Sequence, residues 1–178
     1  MQLLQRKRIL FLVLLIVVLA FVGFTFFTNG QDEPEEPRVG KISPNFRLPD
    51  LSGRMVELKA VYPKNRVTLV NFWATWCGPC RVEIPEFNRI YQEYRGKGLE
   101  ILAVNTWDES KPESIKAFVE QAKMEFPILL DTEWKVATQY GVRGIPTTVI
   151  IGPTGHIQEI IVGMTTYQRL KERLEKLL

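Results

Sequence analysis

The chain has 178 residues, about one domain at roughly 150 residues each, and its 46% hydrophobic and 24% charged content excludes a disordered or fibrous protein. The net charge of +3 is accounted for by Arg6, Lys7 and Arg8, because residues 1–28 hold no acid and the remainder balances; that balance lacks the concentration of Lys and Arg that nucleic-acid binding needs. Cys77, Cys80 and His156 are the full complement of cysteine and histidine, too few for a closed four-ligand zinc site or a disulfide-rich scaffold, and no cofactor or metal is expected.

Residues 9–27 (ILFLVLLIVVLAFVGFTFF) carry no charge. As a helix they extend about 28 Å at 1.5 Å per residue, close to the roughly 30 Å hydrocarbon core of a bilayer. A cleaved signal peptide is the alternative, but its apolar region runs about 7–15 residues and ends in small residues, whereas Phe24, Phe26 and Phe27 stand at this exit. No cysteine follows to accept a lipid. The stretch therefore reads as an uncleaved, single-pass signal anchor. Arg6, Lys7 and Arg8 before it, and Asp32, Glu33, Glu35 and Glu36 after it, place the N-terminus in the cytoplasm and the rest outside the cell membrane. The expected organisation is a basic cytoplasmic segment 1–8, a transmembrane anchor 9–27, a polar tether 28–41 and a folded domain 42–178. Within the tether, NGQDEPEEPRVG (29–40) is too polar and proline-rich to fold alone.

In the folded part, Phe46, Leu48 and, after a turn signal at 50–53, residues 55–58 predict a short N-terminal hairpin. Residues 67–72 (VTLVNF) and 99–104 (LEILAV) read as buried strands. Between them Phe87, Ile90, Tyr91 and Tyr94 follow helical spacing. Ser110 with Glu113 reads as a capping box for a helix carrying Ile115, Phe118, Val119 and Ala122. Residues 128–130 predict a brief strand, and 133–140 a short helix stopped at Gly141. Residues 147–151 and 157–162 flank GPTG (152–155) as an antiparallel hairpin, and Tyr167, Leu170, Leu174 and Leu177 mark a terminal amphipathic helix. The pattern predicts an α/β domain with a mixed sheet covered on both faces.

Both cysteines lie in WCGPC (76–80), where the first strong strand ends and the first helix begins. A helix N-terminus offers unpaired N–H groups and a positive dipole end, so a thiolate at Cys77 is favoured and its thiol pKa falls below the reference of about 8.5. Cys80, one turn on, is the expected resolving thiol. A structural disulfide or half of an intermolecular metal site is the bland alternative, and a C-x-x-C beside a βαβ pattern favours the redox reading. Trp73 reads as core, and Trp76 as a contact surface beside the nucleophile. His156 is expected at the surface, beside the hairpin turn.

NFWATWCGPC (71–80), the helix proline Pro85 and GVRGIPT (141–147) resemble the thioredoxin superfamily over essentially all of residues 46–178. The apolar anchor, the N-terminal hairpin, an added helix between 105 and 131 and Glu83 in CRVEIP resemble its extracytoplasmic ResA/TlpA-type thiol-disulfide oxidoreductases more closely than cytosolic thioredoxin. The resemblance implies a thioredoxin-like fold with a central mixed β-sheet, and reduction of protein disulfides, often in apocytochrome c before haem attachment. A membrane electron donor would keep the cysteine pair reduced. It also implies a cis peptide bond before Pro146, facing the cysteines, where the Ile145 backbone pairs with substrate. The expected substrate contacts are Trp76, Gly78, Pro79, Ile145 and Pro146. Where thioredoxin has a buried aspartate this chain has Asn71, which exchanges no proton. Glu83 matches the acidic residue that ResA-type proteins carry at that place, and a raised pKa and a proton-transfer role are expected for it; a solvated surface glutamate is the alternative.

The leading reading is a membrane-tethered dithiol reductase. A disulfide-forming oxidase or isomerase is the runner-up, and Gly78 and Pro79 weigh against the oxidase, whose relatives commonly carry histidine between the cysteines. A peptide-binding chaperone on the same fold would not need both cysteines. A peroxiredoxin-type peroxidase would require threonine where Ala74 stands.

Overall fold

The computed structural model describes residues 2–28 and 37–178, and the chain divides into two units, Met1–Glu35 and Glu36–Leu178. In the first, helix α1 (Gln2–Thr28) follows from a run of apolar residues with no proline. Its described side chains, those of Arg6, Arg8 and residues 10–21, are all exposed. Among the described residues no helix is long and apolar enough to cross a membrane. The transmembrane reading of 9–27 is therefore not supported by the described residues. Of the expected tether, residues 29–36 lie outside the described residues.

The second unit begins with a two-stranded antiparallel pair, β1 (Arg47–Pro49) and β2 (Met55–Glu57), and a single turn of helix, α2 (Leu58–Val61). Then come β3 (Val67–Trp73), α3 (Gly78–Tyr94), β4 (Leu99–Thr106), α4 (Pro112–Gln121), β5 (Ile128–Asp131), α5 (Lys135–Gln139), β6 (Thr147–Ile151), β7 (Ile157–Val162) and α6 (Tyr167–Leu177). The main sheet has the order β5-β4-β3-β6-β7. β3, β4 and β5 are parallel and joined through α3 and α4, as parallel neighbours require a crossover; β6 and β7 run antiparallel. This is the thioredoxin-like mixed sheet that the motifs implied.

β3 lies at the centre and all seven of its residues are buried. Alternation sends its side chains to two cores. Val67, Leu69 and Trp73 join Ile84, Phe87 and Ile90 of α3, Ile115 of α4 and Leu170 of α6 on one face. Val70 and Phe72 join Leu48, Leu58, Val136 and Tyr140 on the other. Asn71 falls on the α3 face, and the β3–β6 register sets it opposite Thr148.

Three local details differ from the periodicity-based reading. Ser110 does not cap α4: Lys111 is the N-cap, with no side-chain cap, and Pro112 opens the helix. Proline suits the first helical position and forces an extended residue before it, while the Ser110 N–H is taken by Asp108. The short helix expected over 133–140 is confined to Lys135–Gln139, because Trp134 is left-handed (φ +58°) and the Asp131 carboxylate accepts the N–H groups of Val136 and Ala137. His156 is half-buried: residues 40–43 pair with 155–157 through Gly40 N–H to Ile157 O, Ser43 N–H to Gly155 O and Ile157 N–H to Lys41 O. Gly155 in that turn has φ +83°, and a Cβ there would stand 2.7 Å from the Tyr62 ring.

Candidate active site

β3 ends at Trp73 and the chain turns through Ala74, Thr75 and Trp76 into α3. Cys77 N–H donates to Ala74 O at 3.2 Å, closing the turn, and Cys77 is the N-cap of α3 in an extended conformation. Pro79 sits in the first turn, where its missing N–H costs no helical bond. The Cys80 N–H points at Cys77 Sγ, 3.2 Å away, so a free backbone donor faces the sulfur where a thiolate would develop. The two cysteines form a disulfide with Cα atoms 5.3 Å apart. Cys80 is fully buried and Cys77 is 3% exposed, so access comes from the flank formed by the exposed Trp76, Gly78 and Pro79.

The segment before β6 closes the other side. The Ile145–Pro146 peptide is cis, as the resemblance implied. The Ile145 carbonyl oxygen lies 3.8 Å from Cys77 Sγ, so this backbone borders the sulfur. Behind it, Gly163 N–H donates to Pro146 O at 2.8 Å, which ties the loop after β7 to the same segment.

Glu83 lies one turn beyond Cys80 and is 2% exposed, which removes the surface alternative. Its carboxylate accepts from Asn71 Nδ2 at 3.0 Å and from the Thr165 N–H at 3.1 Å. Asn71 Nδ2 also donates to Thr148 Oγ1 at 3.1 Å, so both of its amide protons are used. Burial raises the Glu83 carboxyl from the usual carboxylate range to about 7; the hydrogen bonds from Thr165 and Asn71 oppose that rise without cancelling it. A group with this pKa exchanges protons near neutrality, which the asparagine at 71 does not do.

Asp108 escaped the sequence reading. Its carboxylate accepts from Thr75 N–H at 2.7 Å, Asn105 Nδ2 at 3.1 Å and Ser110 N–H at 3.1 Å. Burial alone would raise its pKa, but hydrogen bonds led by Ser110 outweigh burial and hold it at about 2. Thr148 and Thr165 were likewise missed, since they reach the site from 77 and 82 residues away along the chain from their partners. Among the described residues no cluster of His, Cys, Asp and Glu could hold a metal ion.

A disulfide at a helix N-terminus, an exposed apolar flank, a bordering backbone carbonyl and a buried carboxyl poised to exchange protons make up a site for dithiol–disulfide exchange. Residues 39–160 match the AhpC/TSA family. The thiol-disulfide oxidoreductase ResA of Bacillus anthracis is 37% identical over 174 residues, covering 97% of this chain and 98% of the relative. That of Geobacillus thermodenitrificans is 35% identical over 173 residues, covering 97% of each. Among solved structures, a candidate thiol:disulfide interchange protein DsbE from Chlorobium tepidum superposes with a TM-score of 0.68 at 32% identity, over 80% of this chain and 96% of that one. With its two cysteines already joined at the head of α3, the chain belongs to the AhpC/TSA family and, within the thioredoxin fold, to the ResA-type thiol-disulfide oxidoreductases.

Proposed function

We propose that this oxidoreductase works as a reductant of protein disulfides outside the cytoplasm. The observation that carries the exchange chemistry is Glu83: a buried carboxyl titrating at about 7, one turn from Cys80, suited to proton transfer with that thiol. To donate electrons the pair must lose protons. The Cys77 thiolate attacks one sulfur of a substrate disulfide and expels the other as a thiolate, leaving a mixed disulfide. Cys80 gives its proton to Glu83 and attacks Cys77 Sγ; the second substrate sulfur leaves, and the Cys77–Cys80 disulfide remains. Two electrons pass from the protein to the substrate, and the protons follow to the released thiolates.

The Gly78–Pro79 spacer supports the reductive direction by its likeness to thioredoxin, whose potential near −270 mV lies about 150 mV below that of the oxidant DsbA, roughly 7 kcal/mol for two electrons. Apocytochrome c is the substrate class that the ResA-type likeness suggests, and a membrane electron carrier would restore the dithiol. Extracytoplasmic placement and membrane association rest on the basic residues 6–8, the uncharged stretch behind them and the acids that follow. The test is the potential of the Cys77–Cys80 pair, measured by equilibration with a thiol buffer. A value near −270 mV is expected, and one near −120 mV makes the protein an oxidant. In a deletion strain, loss of c-type cytochrome that added reductant restores would support the substrate, and normal cytochrome content removes it. Recovery of the full chain in the membrane fraction tests the association.

A further inference from the structure

The turn that carries Trp76 and Cys77 is gripped by the loop after β4. Asp108 takes the Thr75 N–H at 2.7 Å, and the Trp107 carbonyl takes the Trp76 indole N–H at 2.7 Å. Asp108 is 9% exposed, and it also accepts from Asn105 Nδ2 near the end of β4 and from the Ser110 N–H in its own loop, so one carboxylate joins the strand end and the loop to the turn. Trp107 holds a left-handed conformation (φ +52°), unusual for a bulky side chain, with its carbonyl accepting from the indole. Trp76 is 60% exposed, yet its polar atom is bound to protein backbone. An aromatic ring left in water but fixed in orientation offers contact area to an apolar peptide at a small entropic cost on binding.

We propose that Asp108 is a positioning residue for substrate recognition: together with the Trp107 carbonyl it locks the Ala74–Cys77 turn so that the Trp76 ring stands beside Cys77 as a rigid face for the apolar residues flanking a substrate cysteine. Because the carboxylate stays ionised down to about pH 2, the grip does not loosen in the range where the thiols react. The inference rests on the reductase reading for its substrate and on Trp76 as a contact residue.

A double-mutant cycle tests it, with insulin as the protein disulfide, hydroxyethyl disulfide as a substrate with no apolar residues flanking its disulfide, and dithiothreitol as electron source. Asp108→Ala should raise KM for insulin about tenfold with little change in kcat, and change the rate with hydroxyethyl disulfide less than twofold. In a Trp76→Ala background the same substitution should have no further effect on insulin. Asp108→Asn, which retains one acceptor for the Thr75 N–H, should fall between and serves if the alanine variant folds poorly. Equal slowing of both substrates, or additive effects of the two substitutions, overturns the proposal. A separate reading does not depend on turnover: the Trp76 indole proton should exchange with solvent about tenfold faster in Asp108→Ala than in the parent, and an unchanged rate also overturns it. If the parent protein fails to reduce insulin, the reductase reading falls, and the exchange measurement still decides whether Asp108 fixes Trp76.

Discussion

Asn71 and Glu83 meet at 3.0 Å between the central strand and the active-site helix, an amide N–H pointing at a carboxylate that is 2% exposed. The asparagine thus supports the acid at 83 instead of supplying one at 71. The titratable group stands on the helix that carries the cysteines, within one turn of Cys80, and not on the central strand.

That relationship has a stability signature. Glu83 titrates at about 7 in the folded protein, against an ordinary value near 4.5, chiefly through burial. Between those values the native state keeps a proton that the unfolded state has lost, so Glu83's contribution is full below about pH 4.5, falls as pH rises to 7 and is gone above it. At about 1.4 kcal/mol per pH unit the loss amounts to roughly 3 kcal/mol. Urea unfolding of the oxidised protein at pH 5 and pH 8 should show this drop, and Glu83→Gln should reduce it to the background of the remaining groups. An identical pH dependence in the two proteins would place Glu83's titration elsewhere.

The same residue should shape the kinetics. If Glu83 accepts the Cys80 proton, the reductive step should rise through about pH 7, and Glu83→Gln should slow it about 100-fold and flatten the profile. Stopped-flow measurement of mixed-disulfide resolution across pH 5–9 checks this. A variant that is slow but keeps the inflection near 7 would mean that another group moves the proton.

In the reduced protein, alkylation should fall on Cys77, because the exposed flank of Trp76, Gly78 and Pro79 adjoins it and the Cys80 N–H stabilises its thiolate, while Cys80 is fully buried. Iodoacetamide at pH 7 followed by peptide mass mapping should find the label on Cys77. Cys80→Ser should trap substrate as a lasting mixed disulfide, and Cys77→Ser should form none. Faster labelling of Cys80 reverses the roles.

Away from the site, the Tyr140 hydroxyl donates to Pro44 O at 2.6 Å and lies 2.6 Å from Ser43 Oγ, which fastens residues 43–44 to the core under β6. Burial, the leading cause, raises its pKa, so the group stays protonated throughout the working range. Tyr140→Phe leaves both partners short of a hydrogen bond and should cost about 1–2 kcal/mol in chemical denaturation. Insulin reduction should be unchanged, since the hydroxyl lies on the face of the sheet opposite α3.

The chain's own patterning determined what is local. The apolar run of β3, the helical spacing of Phe87, Ile90, Tyr91 and Tyr94, the hairpin around residues 152–155 and the cysteine pair at a strand-to-helix junction all depend on neighbours within a few positions, so each is legible along the sequence. Where a local rule had a competitor, the structure chose between them: Pro112 displaced Ser110 as the start of α4, and the left-handed Trp134 shortened α5. What tertiary structure alone decided is the setting of the chemistry. Glu83 draws its partners from β3 and from Thr165, 82 residues away, and Asp108 meets Thr75 across 33 residues. A carboxylate's pKa is set by the water removed and the dipoles brought to it, and those are properties of packed elements, not of the residues beside it in the chain.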